Sequence, residues 1–485
     1  MRLGNLIKEI DVIELVNIQD YDEEVENVVY NSKKVQPNDI FVCLTGEHVD
    51  GHEYAEEAIA NGAIACLVER RLCIDAPQIV VDSTSEMIAR ISSILYAEPS
   101  SKLNIIGVTG TNGKTTVTHL IQKLYEAFDK KCALIGTLGH KFSSDGNYLD
   151  AKHTTPQAPE LQSLLYDINE KCIDNVVMEV SSHSLVQHRV DYVDFNGAVL
   201  TNLTQDHLDF HITMNNYFKA KSTLFANLLT GDFAVINNDD AYAEKFIEVV
   251  SSGVNLYTYG INSDADVMAK DVSFSGNGAS FTCVVKGKEY SVNLIMNGTF
   301  SVYNVLAALT VALALGFDIE KSINVLEQIT GVAGRFEVIV TKPTVIVDYA
   351  HTPDGLENVL KAARKITPES GNLICIFGCG GDRDATKRPK MGAIAEELAD
   401  TVIITSDNPR SENPQQIITD ILAGFKNTTN VIVEPDRESA IKQTYKIANA
   451  NDVVIVAGKG HEDYQILANE TIHFDDREKV REIFG

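Results

Sequence analysis

The sequence predicts an α/β protein of three domains. Three observations carry that reading. The chain has 485 residues, too many for one core when domains average roughly 150 residues. Apolar runs of strand length alternate with stretches of helical spacing, first over residues 103–237 and again over 344–456. A glycine-rich turn falls between one such run and the helical stretch that follows it, at residues 110–113.

Residues 1–98 read as a small N-terminal α/β domain, with strands at 39–44, 63–68 and 78–81 and one helix at 54–61. They carry no nucleotide loop, and residues 97–101 (Ala-Glu-Pro-Ser-Ser) form a linker. Residues 99–332 form the central domain. Its first strand is 103–108, and Val117, Leu120, Ile121, Leu124 and Phe128 then recur at helical spacing. Strands at 175–180, 197–203 and 233–237, separated by helices, imply a P-loop-type, mostly parallel sheet covered on both faces. Residues 256–295 alternate and contain the turn signals Gly276-Asn277-Gly278 and Lys286-Gly287-Lys288, so they read as an appended β-meander. Residues 333–485 read as a Rossmann-like α/β domain with strands at 344–347, 373–377, 401–405 and 453–456. A polar cluster follows each strand, and in open α/β sheets ligands bind at the carboxyl ends of strands.

The composition narrows the functional classes. Hydrophobic residues make up 44% and charged residues 22%, an ordinary globular balance that excludes disordered, fibrous and coiled-coil chains. A net charge of −27 repels phosphate backbones and anionic lipid, so neither nucleic acid nor membrane is an expected partner. The eight cysteines are scattered, without C-x-x-C pairs, and read as reduced buried thiols. The longest apolar run, 305–317, is too short to span a bilayer, and the N-terminus opens no signal-peptide core. A cytoplasmic location and a monomer are expected.

The chemistry starts at Thr109-Gly110-Thr111-Asn112-Gly113-Lys114-Thr115-Thr116. Glycines let backbone N–H groups face phosphate oxygens, Lys114 adds charge, Thr115 offers a hydroxyl to magnesium, and the helix N-terminus favours anions. The strict G-x-x-x-x-G-K-[ST] pattern fails, because position 108 is Val. The variant Gly-Thr-Asn-Gly-Lys-Thr-Thr resembles the nucleotide loop of the Mur ligase family and its folylpolyglutamate synthetase relatives, and the resemblance continues along nearly the whole chain. It implies an ATP-dependent ligase that joins an amino acid to a carboxylate through an acyl phosphate.

Glu179 ends an apolar strand beside that loop, a position suited to a hard cation. His207, in Thr-Gln-Asp-His-Leu-Asp, would alone read as a structural histidine. Lys221 reads from spacing as a helix-surface lysine. The resemblance gives all three more specific roles: Glu179 and His207 hold Mg²⁺, with Thr115, and Lys221 is carbamylated to supply a further anionic ligand. Catalytic roles are thus expected for Lys114, Glu179, His207 and Lys221. ATP is expected on Gly110 to Thr116, Asn304, Arg335 and Asp348, with His351 also contributed by the third domain. For Asp348 and His351 a turn or cap role is the competing reading.

The resemblance also implies that Ser32, Thr154, Thr155, Ser181, Gln187 and Arg189 bind a UDP-muramoyl-peptide. Ser32 departs from the family pattern, being flanked by Asn31 and Lys33 where Asp and Arg are usual. Arginines clamp carboxylates through their planar fork. Arg383 and Arg388 on one strand-end loop and Arg410 on the next are therefore candidates for the incoming amino acid. Asp407-Asn408-Pro409-Arg410-Ser411-Glu412 resembles the signature of the branch that adds meso-diaminopimelate. With Arg383, Gly458 and Glu462, the first four residues of that string would form the subsite. The expected substrates are ATP, UDP-N-acetylmuramoyl-L-alanyl-D-glutamate and meso-2,6-diaminopimelate. Three alternatives stay open: an L-lysine-adding enzyme, a folylpolyglutamate-type ligase, and a UDP-sugar-binding regulator with a decayed ATP site.

Overall fold

A computed structural model describes residues 1–46, 49–143, 146–275 and 278–485. The chain divides into two compact units. One comprises 1–107, 130–198 and 227–232, and the other 108–129, 199–226 and 233–485.

The first unit contains a five-stranded sheet in the order Glu14–Val16, Gln78–Val80, Ala65–Val68, Ile40–Val42, Val28–Val29. Only the Glu14–Val16 edge is antiparallel. The strands expected at 39–44, 63–68 and 78–81 are present, with trimmed ends. The expectation of one helix is too low. Besides Ala55–Ala60 there are Leu3–Ile7 and the 12-residue helix Thr84–Leu95. The latter is capped by the Ser83 side chain, which accepts from Glu86 N, and buries Met87, Ile88, Ile91 and Ile94. Its serines and charges dilute an otherwise helical period. The same unit holds Cys132–Gly136, paired in parallel with Asn175–Glu179 and antiparallel with Gly139–Lys141. The sequence reading names no strand at 132–136.

The second unit begins with the glycine turn and the helix Lys114–Ala127. Phe233–Asn237 pairs in parallel with Asn255–Gly260, which pairs in parallel with Val267–Ser275. The antiparallel meander is therefore only the three strands Val267–Ser275, Gly278–Val285 and Lys288–Leu294. Residues 255–260 belong to the parallel part, a correction to the 256–295 reading. Of the two turn signals, Gly276-Asn277 lies outside the described residues. The apolar run at 305–317 falls largely in Thr299–Ala314, a helix buried nearly all round. Among the described residues no helix is long and apolar enough to cross a membrane.

The C-terminal sheet of this unit has six strands, ordered Glu337–Thr341, Thr344–Asp348, Val453–Ala457, Leu373–Phe377, Thr401–Ile404, Val431–Val433. All but the first are parallel. Apolar clusters on both faces explain why these strands are continuous apolar runs. The order makes neighbours of the four strand ends that carry polar clusters.

Candidate active site

The phosphate loop is built by its glycines. Gly113 precedes the helix at φ 88°, and a Cβ there would lie 2.6 Å from Asn304 Oδ1. At Gly110 (φ 148°) it would lie 1.8 Å from Thr201 Oγ1. Only glycine fits both the conformation and the space. The turn is pinned from behind: Thr111 N donates to Asn202 O (2.9 Å), and Asn112 N to Asn202 Oδ1 (2.9 Å). The Asn112 side chain donates to Asp354 (2.8 Å). Lys114 Nζ bends back to donate to Gly110 O (2.8 Å) and Thr111 O (2.9 Å), at the mouth of a 14-residue helix whose N-terminus favours anions.

Lys221 corrects the surface-lysine reading. It lies on the helix Met214–Ala226 but is 1% exposed. Its Nζ donates to Gly110 O (2.9 Å) and contacts Thr109 Oγ1 (3.4 Å). Burial, reinforced by the charge of Lys114, pushes its amine well below the usual lysine range. The two lysines thus meet at one carbonyl. Lys219, two residues away on the same helix, is exposed and not in this cluster.

Asp206 and His207 follow. His207 takes a left-handed backbone (φ 53°) at the head of Leu208–His211, and its Nε2 lies 3.3 Å from Asp206 Oδ2. His351 Nε2 is 3.9 Å from the same oxygen. Burial raises the Asp206 carboxyl, but His207, Lys387 and His351 outweigh it and hold it at about 2. Burial and Lys387 push His351 down to about 4. Asp206 was not among the expected site residues; its place in the same string as His207 was the available signal.

Beside the loop lies a cavity of about 270 Å³, lined by Gly113, Thr116, Asn304, Tyr303, Arg335 and Asp348 among others. It brings together the residues expected at the adenosine end. Arg335 reaches Thr115 Oγ1 (3.0 Å) and stacks on Tyr349 at 4.3 Å. Asp348 takes the turn role: its carboxylate accepts from Phe336 N (2.6 Å) and Ala350 N (2.7 Å). His351 Nδ1 bonds Tyr349 O (2.8 Å).

At the C-terminal sheet, three strand-end loops interlock. Asn408 donates to Glu462 (2.8 Å) and accepts from Ile466 N (2.9 Å). Burial and Asp407 raise the Glu462 carboxyl. Gly458 has φ 116°, and a Cβ would come within 2.9 Å of Asp407. Pro409 packs its carbonyl against Gly381. Arg410 (φ 52°) donates to Gly381 O (2.8 Å), so its guanidinium bridges the two arginine-bearing loops. Arg383 is exposed and donates to Asp382 O. Arg388 is a brace and not a clamp: it is 2% exposed and pairs with Glu412 (2.8 Å) and Asp420 (2.9 Å).

In the other unit, Glu179 is 1% exposed and accepts from Thr137 N (2.9 Å) and Thr137 Oγ1 (3.0 Å). Thr137 Oγ1 also reaches Thr154 (3.1 Å). Thr155 Oγ1 donates to Glu179 O (2.9 Å) and accepts from Ser181 N (3.1 Å). Arg189 donates to Thr155 O (3.2 Å) and bonds Gln187. The expected peptide-binding residues of residues 154–189 therefore form one connected patch with Glu179. Ser32 is not bonded to that patch: it is 6% exposed and donates to Glu57 (2.8 Å).

A phosphate loop on a parallel sheet, a wholly buried lysine beneath it and a second α/β sheet with polar strand ends define an ATP-using ligase of the Mur type, and the comparisons agree. Residues 24–96 match the family description "Mur ligase family, catalytic domain", 108–312 "Mur ligase middle domain", and 334–460 "Mur ligase, glutamate ligase domain". The chain belongs to the Mur ligase family. It is 44% identical over 469 residues to the UDP-N-acetylmuramoyl-L-alanyl-D-glutamate--2,6-diaminopimelate ligase of Bacillus cereus, covering 95% of this chain and 94% of that one. A solved structure of an enzyme of the same name superposes with a TM-score of 0.68 at 35% identity, covering 100% of this chain and 98% of that one. The folylpolyglutamate synthase of Mycobacterium tuberculosis, solved with ADP and AMPPCP, shares the fold over 76% of this chain and 91% of its own (TM-score 0.62, 18% identity).

Proposed function

We propose that the chain is the ligase that adds meso-2,6-diaminopimelate to UDP-N-acetylmuramoyl-L-alanyl-D-glutamate with ATP, a step of peptidoglycan precursor synthesis. The observation that carries this is the full-length likeness, at 44% identity, to an enzyme named for that reaction. The folylpolyglutamate reading is disfavoured because that fold covers only 76% of this chain. We divide the work among an N-terminal UDP-muramoyl domain (1–98), an ATP domain (99–332) and an amino-acid domain (333–485).

In the reaction, a substrate carboxylate oxygen attacks the γ-phosphorus and ADP leaves. The amino-acid nitrogen then attacks the acyl carbon, phosphate leaves and the nitrogen loses a proton. Both first reactants are anions, so the chain must offset charge. Lys114 would turn from the loop carbonyls to the phosphates, and the helix N-terminus would face them. Arg335, already against Thr115, would lie over the transferring group and Asn304 over the base. Arg189, Gln187, Ser181, Thr154 and Thr155 would hold the peptide carboxylates, and Ser32 the uridine end. Arg383, Arg410 and Asn408 would hold the distal carboxylate of diaminopimelate, and Asp407 and Glu462 its ammonium.

The resemblance assigns magnesium to Thr115, Glu179, His207 and a carbamate on Lys221. The donor chemistry is compatible with that assignment: Thr115 offers a hydroxyl, Glu179 a carboxylate, and Asp206 Oδ2 lies 3.3 Å from His207 Nε2. When bound, magnesium neutralises charge on the transferring phosphoryl group. The depressed Lys221 amine supports carbamylation, since only a neutral nitrogen captures CO₂, releasing a proton. Mass analysis of the product tests the assignment. The mass gained over the UDP-muramoyl-dipeptide should equal diaminopimelate less one water, with one phosphate released per product. Product formed with L-lysine or glutamate instead would overturn it.

A further inference from the structure

Nothing above gives Lys459 a role. It is fully buried, with 0% exposure. Its Nζ donates to Glu462 Oε2 (3.1 Å) and Asn408 Oδ1 (3.3 Å), and lies 4.0 Å from Asp407 Oδ1. These three partners come from two different strand-end loops, and all three are residues assigned above to the amino acid. The ring of Tyr464 stands 5.4 Å from the ammonium. A lysine with no water contact and its donors spent on ligand-bearing side chains is built in for them, because an unpaired buried ammonium would cost several kcal/mol.

From this geometry we infer that Lys459 is a positioning residue of the amino-acid subsite: its ammonium holds the Glu462 and Asp407 carboxylates and the Asn408 amide in the arrangement that receives the ammonium of the incoming diamino acid. The inference rests on the proposed function of that subsite.

The electrostatics explain why a cation is needed there. Asp407 and Glu462 face one another closely enough that Asp407 raises the Glu462 carboxyl, on top of burial. Without the Lys459 cation, burial and the neighbouring Asp407 favour the protonated form of Glu462 still more. A protonated Glu462 attracts a substrate ammonium less, and its protonated oxygen no longer accepts from it. The other groups facing Glu462 do not replace Lys459. Arg437 is committed to Asp476 at 2.7 Å, Tyr349 and Tyr464 are neutral phenols at working pH, and Asn408 carries no charge. His461, next in the chain, is held neutral by burial and by Arg335.

The test is steady-state kinetics of Lys459→Met and Lys459→Gln on the full-length enzyme, from pH 6.5 to 9. KM for diaminopimelate should rise at least tenfold, while KM for ATP and for UDP-muramoyl-dipeptide stays within about twofold. In Lys459→Met that KM should also fall as pH rises, because Glu462 loses its proton; the wild type should lack this trend. The Gln variant, which keeps a donor but not the charge, should share the pH trend, and it stands in should Met prevent folding. Equal losses for all three substrates with a lowered Tm, or an unchanged KM for diaminopimelate, would overturn the inference. A wild-type enzyme that does not use diaminopimelate would instead refute the proposed function, and that control is read first.

Discussion

Replacing Lys221 with Met separates a catalytic lysine from a structural one. The wild-type amine sits at 1% exposure and donates to Gly110 O at 2.9 Å and, more weakly, to the Thr109 hydroxyl at 3.4 Å. That carbonyl keeps a second donor, Lys114 Nζ at 2.8 Å, so the substitution does not strand it. Met fills a similar volume, so no large cavity forms. The stability effect follows from linkage. The folded amine is depressed by burial and by Lys114, whereas in the unfolded chain it titrates near 10.4. Between those two values the unfolded state binds more protons, so this lysine destabilises the fold at neutral pH and the penalty fades as pH rises through the window. Lys221→Met should therefore melt no lower than wild type at pH 7, and its advantage should shrink toward pH 10. Activity should move the other way. Losing one preorganised charge at the transferring group costs about 10²–10³ in kcat, or ~2.7–4 kcal/mol. Phosphate release in the presence of all three substrates, with melting curves at three pH values, reads both effects. Short carboxylic acids such as formate should restore part of the rate by replacing the carbamate anion. A Lys221→Met enzyme with wild-type kcat would refute the reasoning, and one that melts well below wild type at pH 7 would make the lysine structural.

Three further outcomes are expected. Lys114→Ala should lose at least about 10²-fold in kcat with an unchanged far-ultraviolet spectrum, because the side chain donates to loop carbonyls at the surface of the turn and not to the core, and it carries charge to the phosphates. Arg410→Ala should raise KM for diaminopimelate at least tenfold, given about 2–5 kcal/mol for a desolvated charge pair that loses one partner; parallel losses for all three substrates would instead make the Gly381 bridge its main role. Arg437→Met leaves Asp476 buried and unpaired, both side chains being 0% exposed, and should cost about 3–5 kcal/mol in urea unfolding. The double change Arg437→Met with Asp476→Leu should recover part of that loss.

Much of this architecture is legible in the sequence because buried parallel strands are continuous apolar runs. Residues 373–377 and 453–456 stand out for that reason, as does 175–180. Cys132–Gly136 does not, although it is equally buried, because Cys, Ala and Gly give a weak apolar signal. The direction of strand 255–260 depends on its partner Phe233–Asn237, which local alternation does not encode. At the site, the phosphate loop announces itself through glycine and lysine at fixed spacing. Lys221 does not, since a lysine at helical spacing looks the same whether its face meets water or the underside of a phosphate loop. Arg388 and Arg383 lie on one stretch of chain, yet only the fold shows that the first is spent on Glu412 and Asp420. For Asp348 the sequence leaves a ligand and a turn role open, and the fold supplies two backbone N–H groups to its carboxylate.

The central claim is that this chain spends ATP to join diaminopimelate to the muramoyl-dipeptide. The most direct measurement is ATP-dependent phosphate release with UDP-N-acetylmuramoyl-L-alanyl-D-glutamate and either meso-diaminopimelate or L-lysine. The account predicts turnover that needs all three substrates, with kcat/KM for diaminopimelate at least tenfold above that for lysine, since Arg410 and its neighbours would attract a second carboxylate and repel a lone ammonium. Equal or better use of lysine, or no turnover with either amino acid, would contradict it.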